Sequence, residues 1–389
     1  MSLVMEEAQE HWDRGLSSVP DTYVCSSHID DYAIKLFIRR NGEKLQCDYC
    51  KKYRNVVQLE QLMYFLTDAL LHFFTDPANF MSYESAEGGY LGDYDGPWEM
   101  LESLGLEVAD EKLYEDIFES LDHSSAWSDE GVKKSDFKYE AWRHFSYFVK
   151  HQSRYLFSCM ETLRVGARRA TAEGFIKEIA SDIRHQRMLA TVPAGTSIYR
   201  CRQHPHPNDV RRAADICSPK VEFAIYPNRM SAAGVPMFYG AFEPKTAMLE
   251  TLRDDDHTKP YYTIAEFACK EDLHLIDLSK IPYISPFDQE NWELFDRLSF
   301  LHKFLDDFSK PVAHDGKEHI EYVPTQVITE YFRHKFYRNG KKPIDGIIYP
   351  SSKNRKLNAC VLFMDHYECL DRMNLKSDLT TYNLKPAGK

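Results

Sequence analysis

The chain has 389 residues, 43% of them hydrophobic, and a net charge of −12. That length exceeds one typical domain, so two domains are expected. The acidic balance argues against a protein that coats nucleic acid, and no apolar run is long enough to span a bilayer.

The cysteines and the first residues of the chain both predict a cytoplasmic protein. The nine cysteines form no dense framework, and most of them lie singly in apolar segments. This usage is typical of reduced thiols rather than of disulfides. The start, MSLVMEEAQEHWDRG, lacks the features of a signal peptide.

The first motif consists of two pairs of metal-ligand residues, each pair with two residues between its members: Cys25 and His28, then Cys47 and Cys50. Two such pairs commonly hold a tetrahedral zinc ion. Between them Ile34, Leu36 and Ile38 alternate with polar residues, and Asn41-Gly42 is a good hairpin turn. We therefore predict a zinc ribbon whose metal is structural, since four protein ligands leave no open position. The alternative is a surface histidine near cysteines that are unrelated in space.

Helices and strands are predicted along the rest of the chain. Apolar residues near helical spacing predict helices at 55–74, 139–157 and 175–189. Beyond residue 196, alternating or continuous apolar runs predict strands at 197–202, 261–269, 273–279, 345–352 and 358–364. Two amphipathic helices are expected, at 291–309 and 321–336. Strands and helices without a strict βαβ rhythm predict an α+β fold.

The stretch 223–252 combines a cation and a carboxylate in one loop–strand–helix unit. Arg229 lies in a loop of small residues, a short strand is predicted at 235–240, and Pro244 suits the first turn of a helix. Glu250 is predicted to lie well inside that helix. The pair suits a substrate with a phosphate at one end and a ribose at the other, and the alternative is a solvated arginine with an ordinary surface glutamate.

These residues carry a resemblance to a known family. Residues 196–369 resemble the RES domain, which is named for an arginine, a glutamate and a serine. The landmarks follow in order: Tyr199-Arg200, Arg229, Gly234-Val-Pro-Met-Phe-Tyr239, Glu250, Tyr322-Val-Pro-Thr-Gln326 and Asp345-Gly-Ile-Ile-Tyr-Pro-Ser351-Ser352. The family's loop usually reads Gly-Gly-Arg-Trp-Asn, and this chain has Pro227-Asn228-Arg229-Met230-Ser231 instead. The arginine is kept and the Trp-Asn is absent.

The N-terminal half resembles the domain that precedes RES in HEPN-associated proteins. We therefore expect three parts: a zinc-ribbon and helical domain at 1–165, a connecting helix at 166–195 and a RES catalytic domain at 196–389. The resemblance implies an ADP-ribosyltransferase-like fold for the last part. It also implies a cognate antitoxin or self-inhibition by the N-terminal domain, and it leaves self-association open.

The resemblance implies an enzyme that degrades NAD+ and acts as the toxin of a toxin–antitoxin pair in bacterial defence. Such enzymes split the nicotinamide–ribose bond by hydrolysis or phosphorolysis. Glu250 is expected to stabilise the oxocarbenium-like charge on the ribose. Arg229 completes the catalytic set with Ser351 or Ser352, whose hydroxyl would bind a phosphate or ribose group or orient the nucleophile. The sequence does not choose between the two serines.

The remaining residues of the expected site bind the substrate. Arg200 and Arg229 suit the pyrophosphate, because a guanidinium can bind phosphate oxygens bidentately. Tyr239 either stacks on the nicotinamide ring or is a buried strand aromatic. Tyr199 and Gln326 are assigned to substrate binding with them. Two other functions remain open: a mono-ADP-ribosyltransferase that modifies a protein, and a non-catalytic zinc-ribbon and RES module that binds a partner.

Overall fold

The computed structural model describes residues 9, 11–84, 89–128, 134–157, 160, 163–165, 168–253, 256–310, 316–338, 342–354, 356–376 and 378–384. The chain divides into two compact units, the first formed by 1–136 with 283–299 and the second by 137–282 with 300–389. The domain boundaries expected from the sequence stay a prediction. Among the described residues, no helix has both the length and the apolar character of a membrane span.

The first unit combines short strands with helices. Its strands are β1 Tyr23–Cys25, β2 Glu43–Gln46, β3 Tyr53–Gln58, β4 Tyr83–Glu84 and β5 Gly89–Tyr90. Its helices are α1 Tyr32–Asn41, α2 Leu59–Phe73, α3 Pro97–Ser103 and α4 Glu111–Glu119. β3 pairs with β1 on one side and β2 on the other, both antiparallel. The helix expected at 55–74 therefore begins only at Leu59, because the residues before it form β3.

Residues 32–41 form a helix, so the hairpin expected there and the zinc ribbon built on it were wrong in this segment. The Asp31 side chain accepts hydrogen bonds from the backbone N–H groups of Ala33 and Ile34 and caps the helix. Ile34 and Ile38 are fully buried one turn apart, whereas Leu36 is 40% exposed on the other side. Apolar residues four apart fit a helix as well as a strand, and the cap decides in favour of the helix.

The buried core of the first unit is centred on α2. Leu59, Leu62, Met63, Leu66 and Leu70 are all fully buried along one side of that helix. They pack with Ile34 and Ile38 of α1 and with residues of α3 and α4. These side chains form a continuous apolar stripe along α2, and its burial stabilises the first unit.

The second unit contains the larger sheet. Its strands are β6 Leu163–Val165, β7 Arg168–Ala170, β8 Leu189–Val192, β9 Ser197–His204, β10 Phe238–Ala241, β11 Tyr261–Cys269, β12 Leu273–Asp277, β13 Tyr337–Arg338, β14 Lys342–Pro343, β15 Gly346–Pro350, β16 Asn358–Leu362, β17 Met373–Leu375 and β18 Thr380–Asn383. Its helices are α6 Ala172–His185, α7 Ala213–Ile216, α8 Pro244–Thr251, α10 Glu318–Glu321, α11 Val323–Lys335 and α12 His366–Arg372. The division of the chain falls within two longer helices, α5 Lys134–His151 and α9 Trp292–Ser309. These elements agree with the α+β class expected from the sequence.

Nine strands form one sheet in the order β17-β11-β9-β10-β16-β15-β12-β8, with β18 also pairing with β11. The β12–β15 pair is parallel and the other pairs are antiparallel. Register aligns four residues in one row across the sheet: Tyr199, Ala241, Ala359 and Tyr349. Directly paired residues point to the same face, so this row defines one face of the sheet.

Each face of the sheet has its own apolar cluster. On the face of that row, Cys201, Ala241 and Ala247 of α8 pack together with Tyr199 and Met248. On the opposite face, Ile198, Phe238 and Phe267 pack with residues of α7 and α12. Helix α8 therefore lies over the row of Tyr199 and Tyr349.

Candidate functional site

The four predicted metal ligands come together in the first unit. The ligand atoms of Cys25, His28, Cys47 and Cys50 all lie within 4.8 Å of one another. The Cys25 and Cys50 sulfurs are 3.7 Å apart, and the Cys47 sulfur is 3.4 Å from His28 Nε2. A tetrahedral ion with bonds of about 2.3 Å to sulfur gives ligand separations of roughly 3.8 Å. The cluster therefore fits a single tetrahedral metal ion.

Three short elements position these ligands. Cys25 ends β1, His28 follows in the next turn, and Cys47 and Cys50 close the hairpin between β2 and β3. His28 Nδ1 lies 3.5 Å from Asp110 Oδ2, just ahead of α4. A carboxylate on the second nitrogen fixes the orientation of a ligating imidazole and makes Nε2 the ligand atom. Asp110 is a partner that the sequence does not reveal, because it lies far from both ligand pairs along the chain.

The surroundings of Cys50 in this cluster favour its thiolate form. Burial opposes its ionisation, but the Lys52 backbone N–H and the side chains of His28, Cys25 and Cys47 donate hydrogen bonds to its sulfur and together lower its pKa to about 6. Burial raises the pKa of the Cys47 thiol. A metal ion needs thiolate ligands, and the cluster already favours one of them.

In the second unit the structure brings Glu250 and both candidate serines together. Glu250 Oε1 accepts a hydrogen bond from Ser351 Oγ at 2.5 Å and from the Ser352 backbone N–H at 3.0 Å. The Ser352 hydroxyl is 3.4 Å from the same oxygen. Within the described part of the chain every hydrogen bond to this carboxylate ends on Oε1. The second oxygen, Oε2, is left for a ligand.

Glu250 lies in the last turn of α8, which ends at Thr251, and so not well inside the helix as expected. Pro244 begins the helix as predicted, and Leu252 follows it in extended conformation. The C-terminal end of a helix carries partial negative charge, so a carboxylate there is electrostatically unfavourable. The donors from Ser351 and Ser352 offset this cost and fix the carboxylate.

The two serines differ in their surroundings. Ser351 is fully buried directly after β15, and its hydroxyl also accepts hydrogen bonds from the backbone N–H groups of Lys353 and Asn354 at 3.2 and 3.3 Å. Ser352 is half-buried and contributes mainly its backbone N–H to Glu250. Ser351 therefore connects the carboxylate to the turn that follows β15.

Arg229 is anchored through one of its nitrogens. Nη1 donates to the carbonyl oxygens of Phe308 at 3.1 Å and Lys310 at 2.5 Å, at the end of α9. Carbonyls at a helix C-terminus lack partners within the helix and carry partial negative charge, which favours this contact. The guanidinium also lies 5.9 Å from the centre of the Tyr322 ring. Its Nε and Nη2 make no hydrogen bond with any described residue.

The Arg229 loop is held by residues that the sequence assigned to substrate. Gln326 Nε2 donates to the carbonyls of Asn228 and Ser231 at 2.8 and 3.1 Å. The Tyr239 hydroxyl contacts the Ser231 hydroxyl at 2.9 Å and accepts from the Met230 backbone N–H at 3.3 Å. Burial raises the pKa of Tyr239 to about 12, so its hydroxyl stays protonated.

Two further residues that hold this loop, one in the loop and one in α11, were missed in the sequence. Met230 is fully buried where the family usually has tryptophan, and Thr325 Oγ1 donates to the Arg229 carbonyl at 2.5 Å. Thr325 directly precedes Gln326 in the Val-Pro-Thr-Gln landmark, which was the available signal. An apolar anchor and a neighbouring helix thus replace the absent Trp-Asn.

Tyr349 is another residue that sequence reasoning passed over. Burial raises its pKa well above the ordinary value, the nearby Glu250 carboxylate raises it further, and Arg229 lowers it. Tyr349 is 6% exposed and shares the sheet face of Tyr199 and Tyr239. The signal was its position directly before Pro350 and the serine pair.

Arg200 does not join this group. It alternates along β9 with Tyr199 and Cys201, which pack beneath α8, so its side chain begins on the opposite face. Its Nη1 donates to the Tyr239 carbonyl at 2.7 Å, and its guanidinium lies 5.0 Å from the centre of the Phe238 ring. Burial lowers its pKa, and its buried Nε has no hydrogen-bond partner among the residues that the structure describes. Tyr199 shares the face of Glu250 through its packing with α8.

Comparison with known proteins agrees with the order of these landmarks. The HEPN/RES N-terminal domain 1 family matches residues 40–162, and the RES domain family matches residues 197–382. No curated protein and no solved structure matches the chain significantly. The chain therefore carries a RES domain, with a HEPN/RES N-terminal domain ahead of it.

Proposed function

We propose that this protein cleaves the bond between nicotinamide and ribose in NAD+, by hydrolysis or phosphorolysis. The RES domain is typical of NAD+-related toxin enzymes, which supports NAD+ as the substrate. The observation that carries the proposal is the Glu250 carboxylate, held through Oε1 by Ser351 and Ser352 with Oε2 open. An ADP-ribosyltransferase-like fold for this domain is part of the same proposal.

Glu250 is the residue that stabilises the transition state. Nicotinamide leaves as a neutral molecule from a cationic nitrogen, so its departure requires no general acid. Positive charge develops on the ribose as the bond breaks, and a fixed carboxylate oxygen stabilises that charge. Water then adds to the anomeric carbon and releases one proton, which gives ADP-ribose. Inorganic phosphate in place of water gives ADP-ribose phosphorylated at that carbon.

The serines divide the remaining work in this proposal. Ser351 is a positioning residue, because its buried hydroxyl orients Glu250 and the turn after β15. The Ser352 hydroxyl makes only a 3.4 Å contact with Glu250 and can turn towards the nucleophile or the ribose. Tyr349 shares the sheet face over which the helix of Glu250 lies, and we assign its hydroxyl to the same ribose.

Arg229 is the proposed ligand of the substrate's phosphates. Its Nη1 is anchored on α9, and its other donors are available to an anion. Tyr239, Gln326 and Thr325 act on the substrate through the loop that carries Arg229. Arg200 supports β10 from the opposite face of the sheet and does not bind phosphate.

We propose zinc as the ion of the Cys25, His28, Cys47 and Cys50 cluster. Three thiolates and one imidazole are ligands that zinc prefers, and four protein ligands leave no position for a substrate. The ion would therefore stabilise the first unit and take no part in the cleavage.

The direct test is NAD+ turnover by the purified protein, with and without inorganic phosphate. Wild type is expected to release nicotinamide, and Glu250→Gln is expected to reduce the rate by at least about a hundredfold, since it removes the charge that stabilises the transition state. Glu330→Gln, a change to an exposed glutamate of α11, is the matched control. A requirement for phosphate would identify phosphorolysis.

Two other outcomes would redirect the proposal. Transfer of ADP-ribose to a protein, with little free nicotinamide formed in its absence, would indicate the mono-ADP-ribosyltransferase. Equal rates for wild type and Glu250→Gln would show that the observed turnover does not use this site. Growth arrest on expression, relieved by Glu250→Gln, would connect the activity to the proposed role as a toxin.

A further inference from the structure

Positive charge in the N-terminal part of the chain is concentrated in one short stretch. Residues 35–54 contain seven of the eleven Lys and Arg residues found in residues 1–136, but only two of the twenty-eight Asp and Glu residues. The net negative charge of the whole chain conceals this separation of positive from negative residues. Such a separation produces a local positive field on a strongly acidic background.

The fold brings the two ends of this stretch together. Asn55 Nδ2 donates to the Arg39 carbonyl at 3.4 Å, so the last turn of α1 lies beside β3. Asn55 is also the direct partner of Lys44 in the β2–β3 ladder, and paired residues share a face. Arg39 and Lys44 therefore lie on either side of Asn55.

An exposed aromatic ring stands on the same face. Tyr53 precedes Asn55 by two residues, so both point to the same side of β3. Its side chain is 75% exposed, and its ladder partner is the polar Gln46. Because the Tyr53 ring buries little apolar surface, it contributes little to the stability of the fold.

Most of the cations here are not neutralised. Arg39, Lys44, Lys52 and Arg54 are exposed and form no ion pair with a described residue. By contrast Arg40 lies 3.1 Å from Glu290, and Lys51 lies 3.5 Å from Asp48. Four cations without carboxylate partners are available to an external polyanion.

We propose that the surface formed by Arg39, Lys44 and Tyr53 binds a single-stranded nucleic acid, with Lys52 and Arg54, the chain neighbours of Tyr53, adding to its positive field; the Arg54 side chain starts on the opposite face of β3. The cations would follow the phosphate backbone, and Tyr53 would stack on a base. An acidic protein segment would satisfy the cations but would leave the ring without a partner. A duplex conceals the faces of its bases, so it too would leave Tyr53 unused.

The test is fluorescence anisotropy of labelled oligouridylate and oligothymidylate titrated with the full-length protein. Binding should weaken steeply as salt is raised, because each phosphate contact releases a counterion. Tyr53→Ala should weaken binding by roughly five- to a hundredfold without changing the salt dependence. Combined Arg39→Gln and Lys44→Gln should weaken binding and flatten the salt dependence by about 0.7 per lost contact. Comparison of the affinities for oligouridylate and oligothymidylate shows whether RNA or DNA is preferred.

Matched controls lie elsewhere in the chain. Tyr147→Ala removes another exposed tyrosine, and Lys177→Gln removes an exposed lysine that is paired with Glu173. Both should bind like wild type. The proposal is overturned if no oligonucleotide binds at low salt. It is also overturned if Tyr53→Ala binds like wild type, since the ring then does not stack on a base. Competition by polyglutamate as strong as that by the oligonucleotides would overturn it as well, since that result indicates a site for an acidic protein.

Discussion

The two serines beside Glu250 should differ sharply when each is replaced by alanine. Ser351→Ala removes the 2.5 Å hydrogen bond to Glu250 Oε1 and leaves the backbone N–H groups of Lys353 and Asn354 without their acceptor. A hydrogen bond to a charged group contributes about 1.5–3 kcal/mol. If that contribution orients the carboxylate in the transition state, kcat/KM for NAD+ should fall roughly ten- to 150-fold.

Ser352→Ala should lower kcat/KM for NAD+ much less than Ser351→Ala does. Its hydroxyl makes only a 3.4 Å contact, and the backbone N–H that donates to Glu250 at 3.0 Å is kept. We expect a loss below about fivefold unless that hydroxyl orients the nucleophile, in which case kcat falls while KM is unchanged.

Steady-state release of nicotinamide from each variant measures this difference, and thermal unfolding shows whether each variant is folded. Ser351→Cys keeps the size of the buried side chain and is the check on packing. Equal losses for Ser351→Ala and Ser352→Ala, or a larger loss for Ser352→Ala in kcat/KM, would refute the assignment of Ser351 as the positioning residue.

Three further predictions concern the metal cluster, the Arg229 loop and α1. A chelator, or Cys47→Ser, should lower the unfolding temperature measured by calorimetry and leave the second unit's NAD+ turnover within about threefold, and an unchanged melting curve would contradict a structural metal. Tyr239→Phe removes contacts that shape the loop through Ser231 and should raise KM more than it lowers kcat, because the loop carries Arg229, the proposed phosphate ligand. Ile38→Ala should lower the free energy of unfolding by about 2–5 kcal/mol and Leu36→Ala by about 0.5 kcal/mol or less in chemical denaturation, whereas a hairpin would make both residues equally important.

Much of the second unit could be predicted from the sequence because its strands are marked by apolar runs and its landmarks occur in a fixed order. The strands at 197–204, 261–269 and 346–350 begin within a residue of the expected positions. Glu250, Arg229 and the pair Ser351-Ser352 were predicted as site residues from the same landmarks, without a choice between the serines. Their relative placement follows from strand pairing, since β15 ends beside the face on which α8 lies.

The predictions that failed depended on information held elsewhere in the chain. Apolar residues at 34, 36 and 38 fit a strand, and only the Asp31 cap together with burial by α2 decides for a helix. Asp110 reaches His28 from a separate helix, and Thr325 reaches the Arg229 loop from α11. Contacts of this kind arise from tertiary packing, and no local sequence pattern predicts them.

Arg200 illustrates how strand geometry limits a motif. Adjacent residues of a strand point to opposite faces, so Tyr199 and Arg200 cannot both face α8. Tyr199 packs with α8, and Arg200 therefore extends to the other face, where it holds the Tyr239 carbonyl. A largely desolvated cation without a carboxylate is costly, and the hydrogen bond from Arg200 to the Tyr239 carbonyl offsets part of that cost. Under the proposed function, phosphate recognition then depends on Arg229, and Arg200 influences the site only through the backbone of β10.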